Sequence, residues 1–338
     1  MSKLIVIIGA TGGQGGSVAQ EFLADPQFKV RGVTRNSSGE RAVELAKKGV
    51  EMVEADIGDE ASLERAFSGA HVIFAVTDYY ETFFKSGKDA AMAKETEMGC
   101  NLARAAARIP TLKQYIWSTL PHTSKLSGGE AIVPHFEGKA KVDEYIRQEL
   151  PALFEKTTFC IFAIFANNMV TYPIFRPLWI EAAQKYIQIW PAPPNAPYAS
   201  LGDHTKNTGV FVHAIATSPQ QEVGTYLRCA VDDLTLESAL AIWGKASGLT
   251  PNPASTVVIS VSIEQYVTLW GEMGQEQASQ WIFFKHLAEA GITTLPTLKE
   301  GLDLLDDAHR SKLVSTEESW KGMDWSSHRV ASSKTSHI

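Results

Sequence analysis

A run of aliphatic residues, Leu4-Ile5-Val6-Ile7-Ile8, that breaks into Gly9-Ala10-Thr11-Gly12-Gly13-Gln14-Gly15 leaves this chain few folds to choose from. Consecutive β-branched residues read as a strand buried on both faces, the habit of parallel sheets covered by helices. Gly9, Gly12 and Gly15 recur at every third position where that strand must turn into a helix. Such a turn needs positions without a Cβ, so that the backbone can bend tightly and approach a pyrophosphate. A helix starting near Gly13 then offers free amides and the positive end of its dipole to the phosphates. A glycine triplet alone is a flexible turn; flanked by strand, helix and second strand it predicts dinucleotide binding.

The alternation continues. Helix is expected over residues 17–24, closed by Pro26, then strand over 29–34, helix over 41–48 ended by Gly49, and strand over 50–55. A short helix is expected over 63–67, strand over 71–77, an alanine-rich helix over 94–108 stopped at Pro110, and strands over 114–118 and 159–164. Strands separated by helices require crossovers, hence an α/β fold with a doubly wound parallel sheet.

The end of the second strand selects the cofactor. An acidic residue there would hold a ribose 2′-hydroxyl; this chain has Thr34-Arg35-Asn36-Ser37-Ser38, with Arg35 twenty residues beyond Gly15. A guanidinium at that place can pair with a 2′-phosphate through two parallel hydrogen bonds, which favours NADP(H). Asp56 and Ile57 are positioned to flank the adenine, although Asp56 reads equally well as a helix N-cap.

Three stretches, Val6 to Val18, Val30 to Asn36 and Pro134-His135-Phe136-Glu137-Gly138-Lys139, resemble the NmrA-like family, a branch of atypical short-chain dehydrogenases. That family includes fungal nitrogen-metabolite regulators, a human NADPH sensor and fungal oxidoreductases of specialised metabolism. The resemblance implies a Rossmann domain over 1–170, completed by segments from about 199–235, and a smaller C-terminal α/β lobe over 171–198 and 236–325. It also implies NADP(H) in the cleft, serving catalysis or redox sensing. Arg35 falls on the family's 2′-phosphate arginine. The basic residues that follow it in the sensor are replaced here by Ser38-Gly39-Glu40, leaving Ser37 or Arg41 to compensate. Asn168, in Phe165-Ala166-Asn167-Asn168, matches the asparagine beside the nicotinamide.

Ordinary short-chain dehydrogenases carry Tyr-x-x-x-Lys and a serine from the preceding strand; here those positions read His135, Lys139 and Ser118. An i, i+4 spacing puts His135 and Lys139 on one helical face. Lys139 is the candidate ribose ligand. His135 is either a proton donor or a ring packed beside the cofactor, and the neighbouring lysine disfavours its imidazolium form. Thr77-Asp78-Tyr79-Tyr80 follows the fourth strand; Thr77 faces the cofactor, and Tyr79 or Tyr80 is a proton donor or a gate over the nicotinamide. Trp179, Trp190, Trp281 and Phe284, with Tyr80, are candidate walls for an apolar ligand, in a second half rich in proline and aromatics. For most of these aromatics a place in the core is the plainer reading.

Composition narrows the function classes. The net charge of −7 and the lack of a basic stripe argue against nucleic-acid binding. No run of eighteen apolar residues predicts a membrane span, and three scattered cysteines without metal spacing fit a reducing, cytoplasmic setting. The final Ser336-His337-Ile338 departs at two of three positions from the Ser-Lys-Leu peroxisomal address and reads as part of a disordered polar tail over 326–338. The expectation is an NADPH-dependent reductase of a C=O, C=N or activated C=C group on a small apolar metabolite, monomeric or homodimeric, without metal. The alternative is an NADP(H)-sensing regulator acting through protein contacts.

Overall fold

The computed structural model of this chain describes residues 2–219, 222–250, 252–289 and 298–328. The β/α alternation runs through β1 (Lys3–Ile8), α1 (Gly13–Leu23), β2 (Phe28–Thr34), α2 (Glu40–Lys47), β3 (Glu51–Glu54), α3 (Glu60–Phe67) and β4 (Val72–Ala75). It continues with α4 (Tyr80–Ala107), β5 (Gln114–Thr119), α5 (Thr123–Leu126), α6 (Pro134–Glu149), α7 (Pro151–Phe154) and β6 (Thr157–Phe162). Then come β7 (Ile164–Phe165), α8 (Asn168–Thr171), β8 (Leu178–Ile180), β9 (Lys185–Trp190), β10 (Pro197–Gly202), α9 (His204–Thr217) and β11 (Tyr226–Cys229). The last elements are β12 (Asp232–Thr235), α10 (Leu236–Ala246), β13 (Thr256–Ser260), α11 (Ile263–Glu289), β14 (Leu298–Glu300), α12 (Asp307–Arg310) and α13 (Thr316–Lys321).

Eight strands form one sheet in the order β14-β11-β6-β5-β4-β1-β2-β3. Every pairing in it is parallel. The chain leaves β1 toward β2 and β3, then returns to β1's other side as β4, so the strand order reverses between β1 and β4. Open α/β sheets bind ligands at such a reversal, beyond the carboxyl ends of the strands. The strands are buried on both faces as their composition predicts: Ile5, Val6 and Ile7 of β1 and Ile73, Phe74 and Ala75 of β4 have no exposed surface. Each large apolar side chain sealed in this way contributes ~1.5–3 kcal/mol relative to exposure.

Small residues set the helix spacings. A Cβ on Gly209 of α9 would overlap the Ser17 carbonyl oxygen of α1, and one on Gly99 of α4 would press on Val142 of α6. Ser17 closes the first contact with its hydroxyl, which donates to the Lys206 carbonyl at 2.7 Å and accepts from the Gly209 amide at 2.8 Å.

The chain divides into two compact units, Met1–Ala163 with His204–Ala230 and Ser279–Leu313, and Ile164–Asp203 with Val231–Ala278 and Val314–Ile338. The sheet of eight belongs to the first. The second holds two sheets of three strands, β12-β10-β7 and β13-β9-β8, around the buried aromatics Trp190, Tyr198, Trp243 and Trp320.

Several boundaries differ from the sequence reading. The segment 279–313, expected in the smaller lobe, packs in the first unit because β14 adds to β11 and Phe283 packs against Phe136. The strand expected over 159–164 splits: β6 stays in the large sheet, while β7 pairs with β10. The helix expected from residue 94 begins at Tyr80 and is broken at Gly87 (φ 80°); Asp78 starts it by accepting hydrogen bonds from the amides of Tyr80 and Glu81. Part of the expected polar tail is ordered. Ser326–His328 forms a helical turn, and the His328 carbonyl accepts from the Tyr186 hydroxyl at 2.8 Å. The rest of that tail, residues 329–338 with Ser336-His337-Ile338, lies outside the described residues. No helix among the described residues is long and apolar enough to cross a membrane.

Candidate active site

The turn after β1 has the geometry its glycines predict. Gly9 takes φ +65°, and the Gly12 amide donates to its carbonyl at 2.8 Å. A Cβ on Gly15 would overlap that same carbonyl oxygen, and one on Gly12 would approach it to 3.2 Å. The α1 N-terminus has no side-chain cap and no acidic residue in its first turn, so its amides and dipole remain for an external anion. The cradle therefore fits a pyrophosphate. Gly13 faces the His204 ring closely enough that a Cβ there would collide with it. Thr11 and Gln14 complete the loop: the Thr11 carbonyl accepts from Arg41 Nη1 at 3.2 Å, and Gln14 Oε1 accepts from the Ser118 hydroxyl at 3.3 Å.

At the end of β2, Arg35 is 71% exposed, and its two terminal nitrogens meet the two carboxylate oxygens of Glu81 at 3.2 and 3.1 Å. Ser37 does not point to Arg35's partner; its amide and hydroxyl both donate to Glu54 Oε1, at 2.9 and 2.8 Å. Asp56 is not the α3 cap. That role falls to Asp59, which accepts from the Ala61 amide, while Asp56 closes a turn by accepting from the Gly58 amide at 2.8 Å. The Ile57 carbonyl accepts from Asn101 Nδ2 at 3.0 Å, which ties this edge to α4.

The other end of the site is built from buried side chains. Lys139, on α6, sends its ammonium to the Thr77 carbonyl at 3.0 Å, the Thr77 hydroxyl at 2.8 Å and Glu95 Oε1 at 2.8 Å. The Thr77 hydroxyl in turn donates to Glu95 Oε1 at 2.8 Å. Glu95 is wholly buried, and its Oε2 has no hydrogen-bond partner among the described residues. Gly138 makes the pairing feasible, because a Cβ there would stand 2.7 Å from Glu95 Oε2. Lys139 also lies 5.6 Å from the centre of the Trp117 ring.

His135 is 7% exposed and enclosed by rings: Phe136 at 4.7 Å, Tyr80 at 5.8 Å and Tyr79 at 5.9 Å between centroids. Tyr79 stacks on Phe83, and Tyr80 lies edge-on to it. Phe136 continues the aromatic surface to Phe283 and Phe284, and Trp281 meets Phe284 at 5.8 Å. Of these, Phe136 and Phe283 are core, with Phe284 packed on them.

On its opposite side α6 carries a second network. Glu137 accepts from the Thr123 hydroxyl at 2.7 Å and the Ser124 amide at 2.8 Å, with His122 at 3.2 Å. Burial pushes this carboxyl up, but the donors from His122, Ser124 and Thr123 prevail and hold it down at about 2. Asp143, one turn beyond Lys139, is pushed up to about 7 by burial, against hydrogen bonds from Thr119, Tyr226 and Trp117.

Asn168, predicted beside the nicotinamide, and the remaining predicted wall residues, Trp179 and Trp190, belong to the second unit. Asn168 opens α8. Trp179 lies on β8 with its ring 4.9 Å from Tyr186. Trp190 has no exposed surface and packs edge-on to Phe175 at 5.2 Å, so it is core rather than a ligand wall. The first unit thus brings together Gly9, Gly12, Gly15, Gln14 and Ser118, and separately Thr77, Lys139, His135, Tyr79 and Tyr80. It adds Glu95 and Glu81, which sequence reading missed.

The NmrA-like family profile matches residues 1–289. An NmrA-like family domain-containing protein of Dictyostelium discoideum is 30% identical over 222 residues, which span 65% of this chain and 69% of that one. An NmrA-like family domain-containing oxidoreductase of Aspergillus hancockii is 27% identical over 256 residues, 73% of each chain. Among solved structures, NmrA, a negative transcriptional regulator in complex with NADP, aligns with a TM-score of 0.72 and 23% identity over 95% of both chains. That last likeness establishes the fold alone. With its family profile running from the first strand to the end of α11, the chain belongs to the NmrA-like family.

Proposed function

We propose that this chain is an NADP(H)-dependent oxidoreductase that reduces a C=O, C=N or activated C=C group on a small apolar compound. The observation that supports it most lies beyond the carboxyl ends of β1 and β4, neighbouring parallel strands. A cradle stripped of side chains follows β1, and Thr77, which accepts from the buried Lys139 ammonium of α6, follows β4. In this reading the glycines and the α1 amides hold the pyrophosphate, Arg35 the 2′-phosphate, Asp56 and Ile57 the adenosine edge, and Thr77 and Ser118 the nicotinamide end. Bound NADPH would supply a hydride.

The protein's own task is then the proton. His135, enclosed by Tyr79 and Tyr80, is the candidate donor through an imidazole nitrogen, with the hydroxyl of either tyrosine the other choice. Lys139 already has three acceptors for its three protons. It reaches a ribose hydroxyl only by exchanging one of them, and Thr77 Oγ1 is the one to yield, since its hydroxyl keeps Glu95 as acceptor. The ring surface from Tyr79 to Phe284 supports an apolar substrate.

The same saturation of Lys139 favours a second reading, an NADP(H) sensor without turnover, in keeping with the absent tyrosine of Tyr-x-x-x-Lys. Titration with NADPH and NADH, followed by NADPH oxidation over a panel of hydrophobic ketones, imines and enones, separates the two. Tighter NADPH binding with turnover of one substrate class is expected. Equal affinities would remove the NADP assignment; tight NADPH binding with no turnover across the panel would favour the sensor.

A further inference from the structure

We infer that Glu81 is a built-in competitor for the 2′-phosphate at Arg35 and sets how strongly the chain prefers NADPH over NADH. This rests on the proposed assignment of Arg35 to that phosphate.

The two guanidinium nitrogens that would grip two phosphate oxygens already grip two carboxylate oxygens, at 3.2 and 3.1 Å. A carboxylate and a phosphate present the same planar pair of acceptors to this fork, so both cannot hold the same edge of Arg35 at once. Glu81 is ionised in the free protein, because hydrogen bonds from Arg35 and Lys85 hold its carboxyl below the usual carboxylate range. It also has somewhere to go. Lys85 Nζ, one helical turn on, bonds Glu81 Oε1 at 3.1 Å and retains it when Arg35 leaves.

The exchange is easy because the pair is exposed, 71% for Arg35 and 42% for Glu81, and exposed ion pairs add little. Its cost to NADPH is nevertheless specific. The 2′-phosphate carries about −1.5 to −2 charges at neutral pH, and it must settle beside Glu81, with Asp56 and Asp78 also within reach of Arg35. NADH has only hydroxyls there and carries no charge for Glu81 to repel.

Glu81→Gln keeps the size and removes the charge on an exposed residue, so folding is not at issue. Titration of NADPH and NADH onto the intact chain, Glu81→Gln, Arg35→Ala and the double variant reads the effect without any substrate. Glu81→Gln should tighten NADPH by about three- to tenfold, leave NADH within about twofold, and gain less at high salt, where exposed charges are screened. In the Arg35→Ala background the gain should shrink to the residual repulsion, below about twofold. An unchanged NADPH affinity in Glu81→Gln, an equal change for both cofactors, or a gain undiminished without Arg35 would overturn the competition. If Arg35→Ala alone left the NADPH-to-NADH ratio untouched, the phosphate assignment itself would fall, and the competition with it.

Discussion

The two ends of the candidate site are built on opposite principles. At the proposed phosphate end the groups on offer are backbone: Gly9, Gly12 and Gly15 clear a cradle, and the side chains nearby, Arg35 and Glu81, form an exposed ion pair. At the other end buried polar side chains are partnered in place on α6, Lys139 with Glu95 and, on the opposite side of the helix, Glu137 with His122. An exposed pair is supported by solvent and contributes little to the fold; a buried pair costs desolvation and holds only while both partners are present. The first end can therefore tune affinity without touching stability, whereas the second cannot be altered without the fold responding.

The largest expected effect tests that division. Glu95→Ala strands the Lys139 ammonium in the interior with Thr77 alone, and loss of one partner of a buried pair costs ~3–5 kcal/mol. Replacing both, with Lys139→Met and Glu95→Leu, should restore most of that stability, since an apolar pair of similar volume is often neutral or better. Arg35→Ala should leave the unfolding free energy within ~0.5 kcal/mol, as surface substitutions do. Urea unfolding of the three proteins checks this. A midpoint for Glu95→Ala equal to that of Arg35→Ala would erase the contrast.

The next effect is read with pH. Glu137 is held at about 2, below its ordinary 4.5, so its contribution is full above pH 4.5 and is lost as pH falls through about 2. A lowering of that size corresponds to ~3 kcal/mol. Asp143 has the opposite sign. Its carboxyl is raised from 3.8 to about 7, so the stability linked to its protonated form is present below pH 3.8 and is lost as pH rises through 7. Unfolding measured from pH 3 to 8 should show Glu137→Gln flattening the acid side and Asp143→Asn flattening the neutral side. If both variants kept the parent's profile, buried charge would not govern this end.

These ends also differ in how far the sequence announces them. The cradle is seven contiguous residues whose constraint is backbone geometry, and local spacing suffices to find it. The Lys139 cluster draws on Thr77, 62 residues away, and on Glu95 in a different helix. A signal for Glu95 exists: Ala91, Glu95 and Gly99 fall at helical spacing on a face otherwise made of small residues, and a lone carboxylate there demands a partner. Spacing shows the demand without naming the partner. The short strands β7, β8 and β14 have two or three residues each, too few for any period to appear.

A smaller effect sharpens the phosphate end. Arg35→Asp replaces a paired charge with a repulsive one, so NADPH binding should weaken by ~10- to 100-fold, in line with hydrogen bonds to charged groups, while NADH binding changes little. The measurement is the ratio of the two dissociation constants, and a ratio that does not move would detach Arg35 from cofactor choice.

The smallest expected effect lies where the two ends meet. Ser118, at the end of β5, donates to Gln14 Oε1 in the glycine loop at 3.3 Å, a long bond between neutral groups. Such a bond is worth ~0.5–1.5 kcal/mol at most. Ser118→Ala should thus weaken NADPH and NADH equally, by less than about tenfold, and leave the urea midpoint nearly unchanged. Equality matters more than size here, because the bond touches the loop that both cofactors share and not the 2′-phosphate. Suppose instead that Ser118→Ala changed the NADPH-to-NADH ratio, or lowered stability as much as Glu95→Ala does. Then the backbone cradle and the buried side-chain cluster would be energetically one site, and their separate construction would carry no separate function.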